Sequence, residues 1–377
     1  MSLGLYLHVP FCASTCDFCA FYQEKPLRQS IEGYLEGMER ELASLSLKSS
    51  VESAFWGGGT PGLLPAKDLY RLGRAMITAV GQPREWSVEM APSSVRPDKL
   101  KVLRELGVTR ISMGVQSFNP ELLKALGRQH NLRQVHQAYQ WMRKEGFANI
   151  NLDLMFAIPG QSIEIWQADL QQAIQLEPEH ISTYCLTFEE DTALFVKLSE
   201  GQVSVNPEWD AELYKTTWEV LEQAGFAQYE ISNFARSGYE CLHNLNTWRM
   251  GEWVGVGPAA ASQLRGHRFA NPASLEEWLK GLETGRPCRV DEVNLSDTTL
   301  ATDALIFGLR MNAGVDLAQL RERFSVLGNF ALGSFFERLQ SEGFVVFEEE
   351  RWVRLTKRGR LLADALALEI MEFFEGL

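Results

Sequence analysis

Three cysteines lie close together near the start of the chain, at Cys12, Cys16 and Cys19. Their C-x3-C-x2-C spacing is too dense for a disulfide framework in a chain of 377 residues, and it suits three thiolates that converge from one loop on a metal centre. A structural zinc site would need a fourth Cys or His, and no second C-x2-C occurs. A cubane iron–sulfur cluster on three thiolates leaves one iron open to another ligand. The spacing favours such a cluster over zinc, and unrelated buried cysteines are the third alternative.

Composition and charge limit the classes of protein to which this chain can belong. The chain is 45% hydrophobic and 23% charged, which is an ordinary globular composition. Its formal net charge of -13 at pH 7 argues against a nucleic-acid partner. Six cysteines without a recognisable signal peptide predict a reducing compartment and a cytoplasmic location. Because no apolar run reaches about 18 residues, no transmembrane segment is expected, and peripheral contact with a membrane stays open.

Residues 3 to about 190 alternate between β-rich and amphipathic helical stretches. The predicted strands are Leu3–Val9, Val51–Trp56, Glu85–Met90, Thr109–Val115, Asn149–Phe156 and His180–Leu186. The predicted helices are Ser30–Leu47, Lys67–Ala79, Pro97–Leu106, Leu132–Lys144 and Ile163–Leu176. This alternation indicates βαβ units around a parallel sheet. Six units are two short of a complete barrel, so the sequence predicts an α/β fold with a partial (β/α)6 barrel, open to a large substrate.

A run of three glycines follows the second predicted strand, in Gly57-Gly58-Gly59-Thr60-Pro61. The run matches neither a dinucleotide-binding nor a P-loop fingerprint. Glycines allow the backbone to approach a ligand closely and to adopt positive φ. A plain tight turn is the alternative interpretation.

Single polar residues stand near the carboxyl ends of three predicted strands, at Glu89, Gln116 and Asp153. A carboxylate at such a place can accept hydrogen bonds from ribose hydroxyls or an ammonium, and a carboxamide can donate or accept. Taken singly, each is more often a satisfied polar group than a ligand contact. Taken together, after consecutive strands, they predict a polar rim around one cavity.

The cysteine motif resembles that of the radical S-adenosylmethionine (SAM) family, in which an aromatic residue, here Phe18, precedes the third cysteine. The longer string Tyr6-x-His8-x-Pro10-Phe11-Cys12 resembles the branch of oxygen-independent coproporphyrinogen oxidases and HemW-type haem chaperones. The resemblance implies a [4Fe–4S] cluster whose open iron chelates the amino and carboxylate groups of SAM. One electron from the cluster then cleaves SAM to a 5′-deoxyadenosyl radical.

The same resemblance implies which residues meet SAM. The glycine run corresponds to the family motif that meets the amino group, and Arg128 suits the carboxylate because a guanidinium donates two N–H groups. Tyr6 and Phe18 are expected near the cluster and the adenosyl group. The full set of implied SAM residues is Tyr6, Phe18, Gly58, Gly59, Thr60, Glu89, Gln116, Arg128 and Asp153.

His243 is the candidate haem ligand. A lone histidine near aromatic residues is more often a structural residue. The string His243-Asn244-x-x-Thr247-Trp248 resembles the His-Asn-x-x-Tyr-Trp motif of the haem chaperones, with threonine in place of tyrosine. Neutral imidazole is a common axial ligand of haem iron. Cys241 is the thiolate alternative.

The last part of the chain has the element order of a winged helix. Predicted helices near 300–309, 316–324 and 332–339 precede a hairpin of residues 344–347 and 352–355, and a helix follows from Lys357. Such an order suggests DNA binding. Residues 315–377 carry 8 Lys/Arg against 11 Asp/Glu, and the hairpin turn Glu348-Glu349-Glu350 would repel phosphates. A lid or docking module is therefore expected.

Three domains follow from these patterns: a partial (β/α)6 radical SAM barrel (1–190), a barrel-capping α+β region with the His243 motif (191–297), and a winged-helix-like domain (298–377). The resemblance implies a haem chaperone that delivers haem to respiratory haem proteins, without coproporphyrinogen turnover. Phe21 stands where the oxidases have a fourth cysteine, and only five residues precede Tyr6, too few for their N-terminal extension. Radical decarboxylation of coproporphyrinogen is the alternative. A winged-helix regulator with an iron–sulfur sensor and a zinc-stabilised barrel are the remaining rivals.

Overall fold

Six parallel strands form the centre of a twelve-stranded sheet in a computed structural model that describes residues 2–285 and 289–375. Met1, residues 286–288 and residues 376–377, which belong to the predicted domains, lie outside the described residues. The central strands are β1 (Leu3–Val9), β2 (Val51–Gly58), β3 (Glu85–Met90), β4 (Arg110–Gln116), β5 (Ile150–Phe156) and β6 (His180–Cys185). They are hydrogen-bonded in chain order, as βαβ units require. The predicted parallel sheet is confirmed.

Helices connect these strands. They are α1 (Arg28–Ser44), α2 (Ala66–Val80), α3 (Pro97–Leu106), α4 (Pro120–Ala125), α5 (Leu132–Lys144) and α6 (Ile163–Gln175). The five predicted helices are all present, and α3 and α5 have the predicted ends. The short helix α4 was not predicted. Asn119 starts it, because its side chain accepts hydrogen bonds from the backbone N–H groups of Glu121 and Leu122.

The two faces of each central strand have different environments. On β1, alternate residues from Leu3 to Val9 are buried in the main hydrophobic core, whereas Tyr6 and His8 point to the barrel interior. On β3, Trp86 and Val88 join the same core, and the intervening positions are polar. This alternation leaves the interior of the barrel free for polar side chains.

The sheet continues beyond both edges of the six central strands. β9 (Glu252–Val256) pairs in parallel with β1, followed by the antiparallel strands β10 (Ala261–Leu264), β11 (His267–Ala270) and β12 (Val290–Asn294). At the other edge lie β8 (Asn233–Ala235) and β7 (Ala227–Gln228). The helices of this part are α7 (Ala193–Ser199), α8 (Pro207–Gln223), α9 (Leu242–Trp248) and α10 (Leu275–Glu283). The region after residue 190 thus contributes strands to the barrel sheet itself.

The C-terminal part has its own hydrophobic core. Its elements are α11 (Asp297–Arg310), β13 (Val315–Asp316), α12 (Leu317–Arg323), α13 (Leu332–Ser341), β14 (Val345–Glu348), β15 (Trp352–Leu355), α14 (Lys357–Leu361) and α15 (Ala363–Glu375). The strands form a separate sheet in the order β13-β15-β14, in agreement with the predicted winged-helix-like fold. Across the described ranges, every helix is too short or too polar to cross a membrane.

Candidate functional site

The loop between β1 and α1 carries the three cysteines of the predicted cluster. Its backbone is held at both ends of the motif, because the Cys12 N–H donates to the Glu24 carbonyl at 3.0 Å and the Cys19 N–H donates to the Cys16 carbonyl at 3.2 Å. All three thiols are half-buried. Each also has a polar neighbour: Thr60 Oγ1 lies 4.0 Å from Cys12, Arg128 donates to Cys16 at 3.4 Å, and Gln23 donates to Cys19 at 3.0 Å.

The pKa values of thiols in this loop determine what a metal centre has to displace when it binds. Burial raises the pKa of the Cys12 thiol to about 11, and the neighbouring Cys19 and Cys16 raise it further. Burial likewise raises the pKa of Cys19. The Cys12 and Cys19 thiols are thus protonated at neutral pH, and binding of a metal centre to them has to release protons.

The three thiols do not form a single-ion site in the part of the chain that the structure describes. Among residues 2–285 and 289–375, no three His, Cys, Asp or Glu side chains converge as ligands of one metal ion would. A cubane binds each thiolate through a different iron, so its cysteines stand farther apart than those around one zinc ion. With one loop, three half-buried thiols and a nearby guanidinium, the residues fit a [4Fe–4S] cluster.

The glycine run packs directly against the cysteine loop. Gly59 and Thr60 donate their N–H groups to the carbonyls of Val9 and Phe11, each at 2.8 Å. Gly58 has a φ of 101°, and a Cβ there would lie 2.4 Å from the ring of His8. A Cβ on Gly59 would lie 2.7 Å from the Phe11 carbonyl oxygen. Only glycine permits this approach of the two loops.

Two carboxylates face the interior of the barrel: Glu89 near the carboxyl end of β3 and Asp153 at the middle of β5. Burial and then the charge of Asp153 raise the pKa of Glu89 to about 8. Burial also raises the pKa of Asp153, which accepts from Ser112 Oγ at 3.1 Å and Asn151 Nδ2 at 2.7 Å. The sequence interpretation missed Ser112 and Asn151; their inward strand positions were the available signal. Two half-buried, mutually repelling carboxylates favour a cationic ligand between them.

Arg128 and Gln116 lie beside the cluster loop. Besides Cys16, the Arg128 guanidinium donates to the Gly114 carbonyl at 2.9 Å. Its Nε is buried and has no hydrogen-bond partner in the described part of the chain. Gln116 ends β4 at a φ of 67°, which non-glycine residues rarely adopt. A Cβ on Gly114 would lie 2.8 Å from Arg128 and 3.1 Å from Gln116. Both side chains therefore pack against the same glycine.

Tyr6 and Phe18 are the remaining predicted contacts of SAM. The Tyr6 hydroxyl is 3.2 Å from His8 Nδ1, and Phe18 packs on a small apolar cluster with Leu122 and Leu126. Burial lowers the pKa of His8 to about 4, so the ring is neutral. Among the described residues, its Nε2 is buried without a partner. His8 was quoted in the sequence motif but given no role; a buried polar atom at the site makes it a further candidate contact.

His243 lies at the other end of the barrel. Its ring is near the beginnings of β1 and β2, with Nδ1 3.3 Å from Ser53 Oγ and the Phe55 ring at 5.4 Å. The residue is 8% exposed, and burial, followed by the charge of Arg110, lowers its pKa to about 4. The imidazole is therefore neutral, as a metal ligand must be. The structure does not bring His243 together with the cysteines, which follow the opposite end of β1.

Glu85 fixes the start of the helix that carries His243. Its carboxylate accepts from the backbone N–H groups of Leu242 (3.0 Å) and His243 (3.1 Å), and from the Cys241 thiol (3.5 Å). Burial raises the pKa of Cys241 to about 12, so a thiolate is disfavoured. At the other end of the motif, the Trp248 ring lies 5.8 Å from that of Phe307 and joins α9 to the C-terminal part.

The chain is similar to several known proteins over most of its length. Residues 6–173 match the model of the radical SAM superfamily, and residues 295–362 match the HemN C-terminal domain. The haem chaperone HemW of Bacillus subtilis is 33% identical over 95% of this chain and 96% of its own. The HemW chaperone of Synechocystis is 35% identical over 85% and 81%. The mitochondrial radical SAM domain-containing protein 1 of Danio rerio is 34% identical over 98% and 88%.

Among solved structures, coproporphyrinogen III oxidase of Escherichia coli superposes with a TM-score of 0.85. It covers 98% of this chain and 90% of its own, at 24% identity. This likeness establishes a shared fold and, at that identity, nothing about the reaction.

Proposed function

We propose that this chain, which belongs to the radical SAM superfamily in the branch of the HemW haem chaperones, binds haem and delivers it to respiratory haem proteins. The observation that carries the proposal is the similarity to HemW chaperones along almost the entire chain. A cytoplasmic location is part of the proposal. Membership of the superfamily implies a [4Fe–4S] cluster and SAM as cofactors.

In our proposal, the residues that bind the cluster and those that bind SAM lie next to one another. Cys12, Cys16 and Cys19 hold the cluster, which when bound and reduced supplies the electron that cleaves SAM. Arg128 donates toward Cys16 and stabilises the charge of the thiolates. Glu89 and Asp153 attract the positive charge of SAM. Arg128 is also assigned to the SAM carboxylate, and the remaining SAM contacts are assigned to Tyr6, Phe18, Gly58, Gly59, Thr60 and Gln116.

Haem is assigned to the opposite end of the barrel, with His243 as the iron ligand. The ring is neutral at physiological pH, so no proton has to leave before it coordinates iron. Because the ring is buried, α9 has to move before iron can reach it. Glu85, through its bonds to the start of α9, holds the ring in the resting position.

Coproporphyrinogen oxidation is the second candidate, supported by the shared fold. In that reading the adenosyl radical would abstract a hydrogen from a propionate side chain. Phe21, which is 70% exposed beside the cysteine loop, occupies the position of the fourth cysteine of the oxidases. Substrate turnover by the reconstituted protein separates the two candidates.

The test is a haem titration of anaerobically reconstituted protein, followed by the Soret band. Wild type is expected to bind about one haem per chain, and His243→Ala to weaken binding at least tenfold. A wild-type protein without a saturable band would refute the chaperone. Equal binding by the variant would retain the function and move the iron ligand elsewhere. His267→Ala, which changes an exposed histidine at the start of β11, is the matched control.

A further inference from the structure

A groove opens on the outer side of His243, at the amino ends of β1 and β2. Its volume is about 290 Å³, and its walls come from α9, the central sheet and α12. Three arginines line it: Arg84 before β3, Arg249 after α9, and Arg323 at the end of α12. Such a concentration of positive charge contrasts with a chain whose net charge is -13.

The positive charge in this groove is only partly neutralised. Of the described lining residues, Glu52 alone is acidic, and it pairs with Arg84 at 3.4 Å, an exposed contact of little strength. Within residues 2–285 and 289–375 the Arg249 guanidinium has no hydrogen-bond partner. Arg323 donates to two neutral carbonyls, those of Arg249 at 3.1 Å and Met250 at 2.6 Å. Two of the three guanidinium charges therefore lack a carboxylate in contact.

The groove is physically connected to the proposed haem ligand. Ser53 lines the groove, and its hydroxyl lies 3.3 Å from His243 Nδ1. Asn246, on the same helix as His243, also lines it and anchors that helix by donating to the Glu252 carbonyl at 2.9 Å. A molecule seated in the groove thus lies against the helix that carries the histidine.

We infer that this arginine groove binds the propionate carboxylates of haem, an inference that rests on the proposed function. Guanidinium groups recognise carboxylates through paired N–H donors, and haem carries two carboxylates at one edge of its ring. A volume of about 290 Å³ suits that edge rather than the entire macrocycle. Arg84 and Arg249 provide the exposed contacts, while Arg323 is fixed by its carbonyl partners.

The inference is tested by comparing haem with haem dimethyl ester, which has the same ring and iron and no free carboxylate. The double variant Arg84→Gln/Arg249→Gln removes two charges without breaking a buried contact. It is expected to bind haem about tenfold more weakly than wild type and to bind the ester as wild type does. The haem affinity of wild type should fall with added salt more steeply than that of the variant.

Arg321→Gln is the matched control, since Arg321 is exposed on the same helix as Arg323 but does not line the groove. It should bind haem as wild type does. Unchanged haem binding by the double variant, or an equal loss for haem and ester, would overturn the inference while the chaperone function stands. No saturable haem binding by wild type would refute the function and this inference with it.

Discussion

Replacing Glu89 by glutamine should remove a pH dependence from SAM binding. Because burial and Asp153 raise the pKa of Glu89 to about 8, the carboxyl is mainly protonated at pH 6.5 and mainly ionised at pH 8.5. The ionised fraction rises from about 3% to about 76% over that interval. If the sulfonium cation binds the ionised form, wild-type affinity rises up to about 25-fold with pH, and Glu89→Gln loses this gain.

The assay is equilibrium dialysis of SAM against anaerobically reconstituted protein at several pH values. The amino group of SAM titrates with either protein, so the informative quantity is the difference between the two profiles. Asp153→Asn provides a second check: without its negative charge the pKa of Glu89 falls, and the rise in affinity moves to lower pH. Parallel profiles for wild type and Glu89→Gln would refute the role given to this carboxylate.

Two further changes test the two ends of the barrel. Glu85→Ala removes the acceptor at the start of α9 and one of the acidic groups near the buried Arg110. Urea unfolding should therefore show a loss of about 3 kcal/mol; a loss below about 1 kcal/mol would contradict this account. Gly58→Ala places a Cβ against the His8 ring at a backbone φ of 101°. Iron and sulfide analysis of this variant should show a depleted cluster. Wild-type iron content would contradict the argument that only glycine permits this approach of the two loops.

The sequence predicted the elements whose signals are local. Helix α5 begins where Asn131 and Gln134 form a reciprocal cap, and α3 begins at Pro97 and ends before Gly107 at a φ of 88°. Both signals are visible in the sequence, and both helices have the predicted ends. The cysteine loop could also be identified from the sequence, because the spacing of the three cysteines is itself the signal.

The pairing of strands that lie far apart in the chain could not be predicted in the same way. The strand pair that joins Tyr6 to Gly255 links positions far apart in the chain, and no local pattern reports which strand lies beside another. Gly255 shows the same limit. A Cβ on Gly255 would lie 2.3 Å from the Ala261 carbonyl oxygen, so this position requires glycine because of a close approach within the protein's own backbone.

Strand β3 shows why residue type alone could not assign the two ends of the barrel. Glu85 and Glu89 are four residues apart on one face, hence about 13 Å from each other. Glu85 is satisfied by two backbone N–H groups and a thiol, which makes it a structural anchor. Glu89 faces Asp153, and burial and that charge raise its pKa, so its ionised form is favoured only with a cation beside it. The donors around each carboxylate, which only the tertiary structure supplies, separate the anchor from the ligand site.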